Sequence, residues 1–267
     1  MKITDRPVHF TAFQATFYSL PAILEHHLIM HSSTIQQRNS KPANQWSLRD
    51  QNGIVRSFVA SRKEYLAIKR VGDIIFSIVV ILLLLSWMAP LLAIIIRAGT
   101  KGPAFFRQKR IGQNGRPFIC YKFRTMVMNP EADDQPAEAE DARITRIGRF
   151  LRDTNIDELP QFLNVLVGQM SVVGPRPHMV ADCVRFSFVV HSYQFRHLVK
   201  PGITGLAQVN GCHGLIADYD SIVMRYYWDA QYVRKAGYRL DLQIIFATMR
   251  QLLAKIFRKF SGSGKKR

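Results

Sequence analysis

Cysteine is scarce in this chain. Cys120, Cys183 and Cys212 are the three among 267 residues, widely spaced and with no CxxC pair. That excludes a disulfide framework and a cysteine zinc site, and it fits a reducing compartment. Acidic residues are also few: 19 Asp and Glu stand against 37 Lys and Arg, a formal charge of +18. A chain so unbalanced seeks polyanions, here nucleic acid, an anionic membrane surface or phosphorylated substrates. No internal repeat is present. Met1–Ser19 has neither a continuous apolar core nor a small-residue cleavage site, so no cleavable signal peptide is expected. Apolar residues nevertheless make up 48% of the chain, enough for one sizeable domain with appendages.

One stretch lacks charge altogether. From Ile74 to Ile96, 23 residues run without an ionisable side chain; a straight membrane span needs about 20. Pro90 sits inside the run, where it removes a backbone donor and kinks a helix. Ser86, one turn upstream, is placed to satisfy a freed carbonyl. Positive charge flanks both ends: Lys69 and Arg70 before, and Arg97, Lys101, Arg107, Lys109 and Arg110 after. The positive-inside tendency then puts both ends on the cytoplasmic side. A re-entrant helix–break–helix satisfies both observations. A simple span and a buried soluble helix are the alternatives. Asp73, at the mouth of the run, is expected to pair with Lys69 or Arg70.

Residues 1–62 are the least informative and are treated as an N-terminal extension. His26, His27 and His31 can be drawn as metal ligands, but no acidic or cysteine partner sits nearby, and a solvated surface accounts for them. After the apolar run, Ala104–Lys109 and Phe118–Phe123 read as strands joined by the turn-rich Gly112–Pro117. The hairpin is densely basic, and Lys122 and Arg124 fall on one strand face. Six acids between Glu131 and Asp141, with Pro130 and Pro136, mark an exposed loop or lid.

The densest chemistry lies between Arg143 and Pro177. Arg143, Arg146, Arg149 and Arg152 recur every three residues and lead into Asp157-Glu158. Thr154 and Asn155 are good N-caps at capping-box spacing, which places the carboxylates at a helix N-terminus with Pro160 in the first turn. On spacing alone they cap the helix and complement its dipole. The surroundings favour chemistry instead. The arginines and the rigid Gly174-Pro175-Arg176-Pro177 turn supply a positive potential that keeps Asp157 ionised, as a carboxylate nucleophile toward phosphorus requires. Two adjacent acids also suit a magnesium ion that shares phosphate and water ligands.

Beyond this, His178 is not assigned a catalytic role. Lys200–Gly211 is a glycine-punctuated loop that either wraps a ligand, with Gln208 and Asn210 as polar candidates, or makes a tight connection. Tyr219–Tyr238 reads as a helix bearing Tyr226, Tyr227, Trp228 and Tyr232. Asp241–Phe260 has helical apolar periodicity with Arg250, Lys255, Arg258 and Lys259 opposite. It suits either an anionic lipid interface or packing on a core.

The segments KRVGDIIFS, GPAFFRQKRIG, YKFRTM, DARITRIGRFLRDTNIDELPQFLNVLVGQMSVVGPRP and KPGITGLAQVNG occur in that order. Over residues 63–260 the chain resembles the bacterial monotopic phosphoglycosyl transferases, which start glycan assembly on polyprenol phosphate. The undecaprenyl-phosphate glucose or galactose phosphotransferases are the most similar. The resemblance implies an α+β, mainly helical fold with a short β-hairpin, a re-entrant membrane element and amphipathic interfacial helices. It divides the chain into the extension 1–62, the re-entrant helix 63–100 broken at Pro90, the catalytic domain 101–260 and a basic tail 261–267. It implies transfer of a sugar phosphate from a UDP-sugar to undecaprenyl phosphate at the inner face of a bacterial membrane. Asp157 would be the nucleophile and Glu158 its partner, the two also binding Mg2+. Arg176, Lys122, Arg124 and Arg152 would contact phosphate or uridine. Anionic lipids are implied partners, nucleic acid is not, and a homodimer is left open. Where many relatives have Ser-Pro at the membrane break this chain has Ala89-Pro90, and Asp141-Ala142-Arg143 replaces the usual Asp-Pro-Arg. A nucleic-acid-binding protein does not account for the charge-free run. A membrane-anchored scaffold, whose acids only cap a helix, remains the competing class.

Overall fold

The structure, a computed structural model, describes residues 62–128, 141–214 and 218–260. The histidine trio, the N-terminal extension, nearly all of the acidic loop and the basic tail lie outside the described residues.

The charge-free run forms one continuous helix, Lys63–Gly99. It consists of α1 (Lys63–Val80), a π-helical turn (Ile81–Leu85) and α2 (Ser86–Gly99). Pro90 cannot donate to the Ser86 carbonyl, yet the helix runs on through it with a wide π-helical turn upstream, so the expected helix–break–helix does not appear as a break. Side chains satisfy the disturbed carbonyls. Ser86 Oγ donates to Leu82 O at 2.7 Å, and Trp87 Nε1 donates to Leu83 O at 2.9 Å. One stripe of the helix (Tyr65, Asp73, Ser77, Val80, Leu85, Leu92, Ile96) is buried, while Ile75, Leu82, Leu83, Trp87 and Ile94 are exposed. In its most apolar window only 11% is buried. A core helix of a soluble domain is mostly buried, so this helix is a candidate membrane element.

The hairpin is present. Strands β1 (Phe105–Ile111) and β2 (Pro117–Phe123) pair antiparallel, from Phe105 opposite Phe123 to Ile111 opposite Pro117. Asn114 and Gly115 supply the positive φ angles of the turn, 56° and 73°. A second, parallel pair was not expected: β3 (Ser171–Val173) lies beside β4 (Gly202–Thr204).

The remaining elements are helical. They are α3 (Arg146–Thr154), α4 (Gln161–Leu166), α5 (Val180–Val189), α6 (Leu206–Val209), α7 (Tyr219–Lys235) and α8 (Tyr238–Phe260). The main core joins Tyr65 and Val80 of α1 to Cys120, Val165, Met170, Val173, Tyr232, Val233 and Ile244. A second cluster joins Leu85, Leu92 and Ile96 to Phe123 and Leu151.

Asp241 ties α1, α7 and α8 together, accepting from Tyr65 Oη (2.7 Å), Lys69 Nζ (2.7 Å) and Tyr232 Oη (2.8 Å). This corrects the pairing expected for Asp73. Lys69 goes to Asp241, and Arg70 donates to the Val165 and Leu166 carbonyls. Asp73 accepts instead from the backbone N–H of Val172 at 3.0 Å. Lys200 acts on Asp73 through space. On α8, Ile244 packs into the core while Leu242, Phe246, Met249, Leu253 and Phe257 are exposed. The last helix therefore buries one face and leaves a second apolar stripe uncovered.

Candidate active site

Asp157 and Glu158 do not sit at a helix N-cap. Thr154 is the last residue of α3, and Asn155 closes that helix in the left-handed conformation (φ 57°). Asn serves either end of a helix, and here the C-cap geometry prevails. The carboxylates lie on a 3-10 turn, Ile156–Glu158, with no side-chain cap bond. The cap that does form is one helix earlier, where Thr145 Oγ1 accepts from Gly148 N at 2.9 Å.

The two acids meet different surroundings. Lys122 Nζ, from β2, donates to Glu158 Oε1 at 2.7 Å. Arg176 Nη1 donates to Oε2 at 3.0 Å, and its Nη2 reaches Oε1. These cations hold the Glu158 carboxyl well below its ordinary range, despite burial that acts the other way. Asp157 is 7% exposed and makes no hydrogen bond among the described residues. Its pKa is pushed up to about 6, chiefly by burial and further by Glu158, against the pull of Lys122, Arg176 and Arg152. Asp157 is therefore ionised at neutral pH, but burial outweighs the positive potential expected to keep it so. The two cations spend their charge on Glu158.

Arg176 owes its position to a braced turn. Four successive carbonyls of the Gly-Pro-Arg-Pro-His segment are held. Gly202 N donates to Pro175 O (2.9 Å), Arg196 Nη2 to Arg176 O (2.6 Å), Arg110 Nη1 to Pro177 O (3.1 Å) and Ile111 N to His178 O (3.0 Å). Gly174 packs backbone to backbone against the Lys200–Gly205 segment. A Cβ there would lie 2.4 Å from Lys200 O, and one on Gly202 would lie 2.1 Å from Gly174 N. The glycine-punctuated loop makes the tight connection that sets the arginine turn, and its Gln208 also lines the cavity shared with the two acids, with Oε1 buried and unpartnered among the described residues. Arg196 is itself locked by Asp229, Nε to Oδ2 at 2.9 Å, with both side chains almost wholly buried.

The structure brings Asp157, Glu158, Lys122 and Arg176 together, with Arg152 beside them. Arg152 Nη1 is buried without a hydrogen-bond partner. Arg124 lines the same cavity but makes no hydrogen bond to either acid among the described residues. Its guanidinium donates to Lys101 O (2.5 Å) and Thr100 O (2.8 Å), closing the C-terminal end of α2. Of the other arginines in the repeat, Arg146 and Arg149 are exposed, and Arg143 pairs locally with Asp141 at 2.6 Å. His178 Nδ1 meets Tyr193 Oη, and burial pushes the imidazole well below its usual range, so it is neutral. Nothing in the sequence pattern marks Arg196, Asp229 or Arg225. Their roles depend on contacts between distant segments.

Lys122, Arg152, Asp157, Glu158, Arg176 and Arg225 line a cavity of about 1320 Å³. Its apolar wall includes Phe76, Val80 and Leu84 of the membrane-type helix and Ile245, Met249 and Leu252 of α8. The charged cluster thus faces an apolar wall across the cavity. Such a site can hold an anion at Arg176, Lys122 and Arg152 and present it to the carboxylate of Asp157.

Residues 64–255 match the bacterial sugar transferase family, and the chain belongs to that family. It is 46% identical over 183 residues to a UDP-glucose:undecaprenyl-phosphate glucose-1-phosphate transferase of Klebsiella pneumoniae, covering 68% of this chain and 39% of the relative. It is 40% identical to a UDP-N-acetylgalactosamine-undecaprenyl-phosphate N-acetylgalactosaminephosphotransferase of Aeromonas hydrophila, covering 71% and 44%. A shorter relative, the exopolysaccharide production protein PSS of Rhizobium leguminosarum bv. phaseoli, is 40% identical and is covered over 94% of its length, with 69% of this chain aligned. The chain thus spans about two fifths of the longer relatives and nearly all of the short one.

Proposed function

We propose that this protein transfers a hexose 1-phosphate from a UDP-sugar to undecaprenyl phosphate, giving undecaprenyl-diphosphate-sugar and UMP. The observation that carries this reading is the division of labour between the paired acids. Glu158 is saturated by two cations, while Asp157 is ionised, without a hydrogen bond, and beside a cavity that reaches the membrane-type helix. A scaffold whose acids only cap a helix has no use for that arrangement, and neither acid caps one here.

In the proposed mechanism a carboxylate oxygen of Asp157 attacks the phosphorus that bears the sugar. The new bond is Asp O–P, the pyrophosphate P–O bond breaks, and UMP leaves with the electron pair. The phosphate oxygen of the lipid then attacks the same phosphorus, and Asp157 departs as carboxylate. One pyrophosphate bond is broken and one made, so the overall balance is nearly even, and the covalent intermediate divides the transfer into two displacements. Arg176 and Lys122, fixed by Glu158 and the braced turn, offset charge that develops on the phosphoryl oxygens. Arg152 Nη1, buried and unpartnered, is placed to join them once a phosphate arrives.

Magnesium fits the donor set. No group of three or more His, Cys, Asp or Glu is present among the described residues, and Mg2+ commonly takes one or two carboxylates and fills its shell with phosphate and water. Asp157 would hold it, and Glu158 only through an oxygen it already shares with Lys122 or Arg176. The ion would neutralise diphosphate charge.

The membrane element is proposed to be re-entrant, with the catalytic domain on the cytoplasmic face. Both ends of the 37-residue helix, about 55 Å if straight, are held by the same domain. Arg62, Lys69 and Arg70 bond to Arg234 O, Asp241 and Val165 O at one end, and Arg124 grips Thr100 O and Lys101 O at the other. A crossing helix would carry one end away, across a hydrocarbon core of about 30 Å. The exposed apolar stripe of α8 suits the same lipid surface. Glucose is the proposed sugar, with galactose or an N-acetylhexosamine as alternatives, and the first membrane step of exopolysaccharide assembly as the setting.

The test is the intact mass of the protein after incubation with UDP-glucose and magnesium, without lipid acceptor. The expected result is an added hexose phosphate, absent in Asp157→Asn. An adduct only with another UDP-sugar corrects the sugar. No adduct with any UDP-sugar, in folded protein, would sink the covalent mechanism.

A further inference from the structure

The transfer mechanism uses the carboxylate pair, Lys122, Arg152 and Arg176. It gives no task to Arg225, which lines the same cavity from α7. Arg225 is only 7% exposed. Among the described residues its side chain makes one hydrogen bond, from Nη2 to Gly214 O at 3.1 Å, and its Nε is buried without a partner there. The carboxylate one turn along the helix, Asp229, is already committed to Arg196. The nearby Arg176 is committed to Glu158 and repels Arg225 rather than balancing it. His213, also on the cavity wall, is neighbour to Arg176, Arg225 and Lys255, and these cations together with burial hold it neutral.

Asp229 and Asp182 act on Arg225 only through space, and neither accepts a hydrogen bond from it among the described residues. A buried guanidinium without a hydrogen-bonded carboxylate is costly to the fold. Burial and the charge of Arg176 already depress the pKa of Arg225, so the strain on that charge is present in the protein as it stands. The planar fork of arginine matches phosphate oxygens, and a phosphate here would add a directly bonded counter-charge and accept from Nε.

We propose that Arg225 anchors a second phosphate subsite in the cavity, across Arg176 from Asp157. The proposal rests on the transfer reading, which requires two phosphate-bearing molecules to meet in one cavity. The bound group is a phosphate oxygen either of the nucleotide diphosphate or of the lipid monophosphate. Arg176 then lies between the two phosphates and is shared by them.

The experiment uses the full chain in detergent. Equilibrium binding of UDP and, separately, of a short-chain polyprenyl phosphate is measured for the unmodified protein, Arg225→Ala and Arg225→Lys, with melting curves for each. The expected result is a loss of roughly tenfold or more in affinity for one ligand in Arg225→Ala, the size of a lost charge-assisted bond, with partial recovery in Arg225→Lys. Loss confined to UDP assigns the subsite to the nucleotide, and loss confined to the lipid assigns it to the acceptor phosphate. Unchanged binding of both overturns the proposal, as does equal loss of both in both variants, which marks collapse of the cavity. If Arg225→Ala does not fold, Arg225→Lys decides alone: selective weakening supports the subsite and unchanged binding overturns it. A protein that binds UDP through Arg225 yet makes no lipid-linked sugar product sinks the transfer reading and keeps the subsite. One that transfers sugar equally well as Arg225→Ala does the reverse.

Discussion

Replacing Asp157 by Asn should abolish chemistry and stabilise the protein. The carboxyl is shifted from an ordinary 3.8 to about 6, with burial as the leading cause. The folded state therefore holds its proton more tightly than the unfolded chain does. Between about pH 4 and pH 6 the folded protein binds the extra proton, so stability falls as pH rises through that window. Above pH 6 the ionised group remains a fixed cost. Two pKa units at about 1.4 kcal/mol each make that cost about 3 kcal/mol. Asn has nearly the same shape and no charge, so Asp157→Asn should recover it at pH 7.5 and nothing at pH 4. For a domain of this size the gain is about 6–12 °C in Tm. The assay is a pair of thermal melts of both proteins across pH 4–8, alongside the mass assay. The same ionisation should give adduct formation an acid limb, falling about tenfold per pH unit below the Asp157 pKa, which bound Mg2+ would lower. A variant that is less stable at pH 7.5, or whose gain does not depend on pH, would refute the assignment of the buried charge to Asp157.

Two further outcomes are expected. Arg196→Met leaves Asp229 buried and unpaired and should cost about 3–5 kcal/mol, whereas Arg196→Met with Asp229→Leu should recover much of that loss. In the double variant Arg176 O has lost its donor, so adduct formation should stay at least about tenfold slower even where melting is restored; full activity would show that the brace positions nothing. For the membrane element, single cysteines introduced at Lys63 and Thr100 should both react with an impermeant maleimide from the same side of sealed vesicles. Labelling from opposite sides would establish a crossing helix.

The hairpin was legible because its signals are local. Turn residues from Gly112 to Pro117 separate two short apolar-basic alternations, and nothing distant has to be known. The charge-free helix was legible for the same reason. What could not be read is what depends on partners far apart in the sequence. Strands β3 and β4 are three residues each and carry no periodicity; they exist because Gly174 and Gly202 allow two backbones to touch. Asn155 suits a helix start or a helix end, and only packing of α3 against its neighbours selects the end. Arg124 shares a strand face with Lys122, as the alternation predicts, yet Lys122 reaches Glu158 while Arg124 meets the terminal carbonyls of α2. Residue type and face were right for both, and the neighbour across the fold decided the role.

The carboxylate pair carries this furthest. Asp157 and Glu158 are adjacent, chemically alike and equally close to the arginine repeat in sequence. Their fates diverge because one side chain points at two cations and the other does not. Lys122 arrives from a strand and Arg176 from a turn whose carbonyls are held at four successive residues, so both cations are placed before any ligand enters. Glu158 absorbs their charge and thereby lets two basic side chains stay fixed inside a partly apolar cavity. Asp157 is left ionised and poorly solvated, which is the state in which a carboxylate is most ready to attack phosphorus. On this argument Glu158 is a positioning residue as much as a reacting one. Glu158→Gln should therefore raise the mobility of Arg176 and Lys122 and draw them to Asp157, lowering the Asp157 pKa and its reactivity together. An acid limb that moves to lower pH in Glu158→Gln, with a slower plateau, is the expected sign. A limb that stays where it is in the unmodified protein would mean that the two cations do not respond to Glu158 at all.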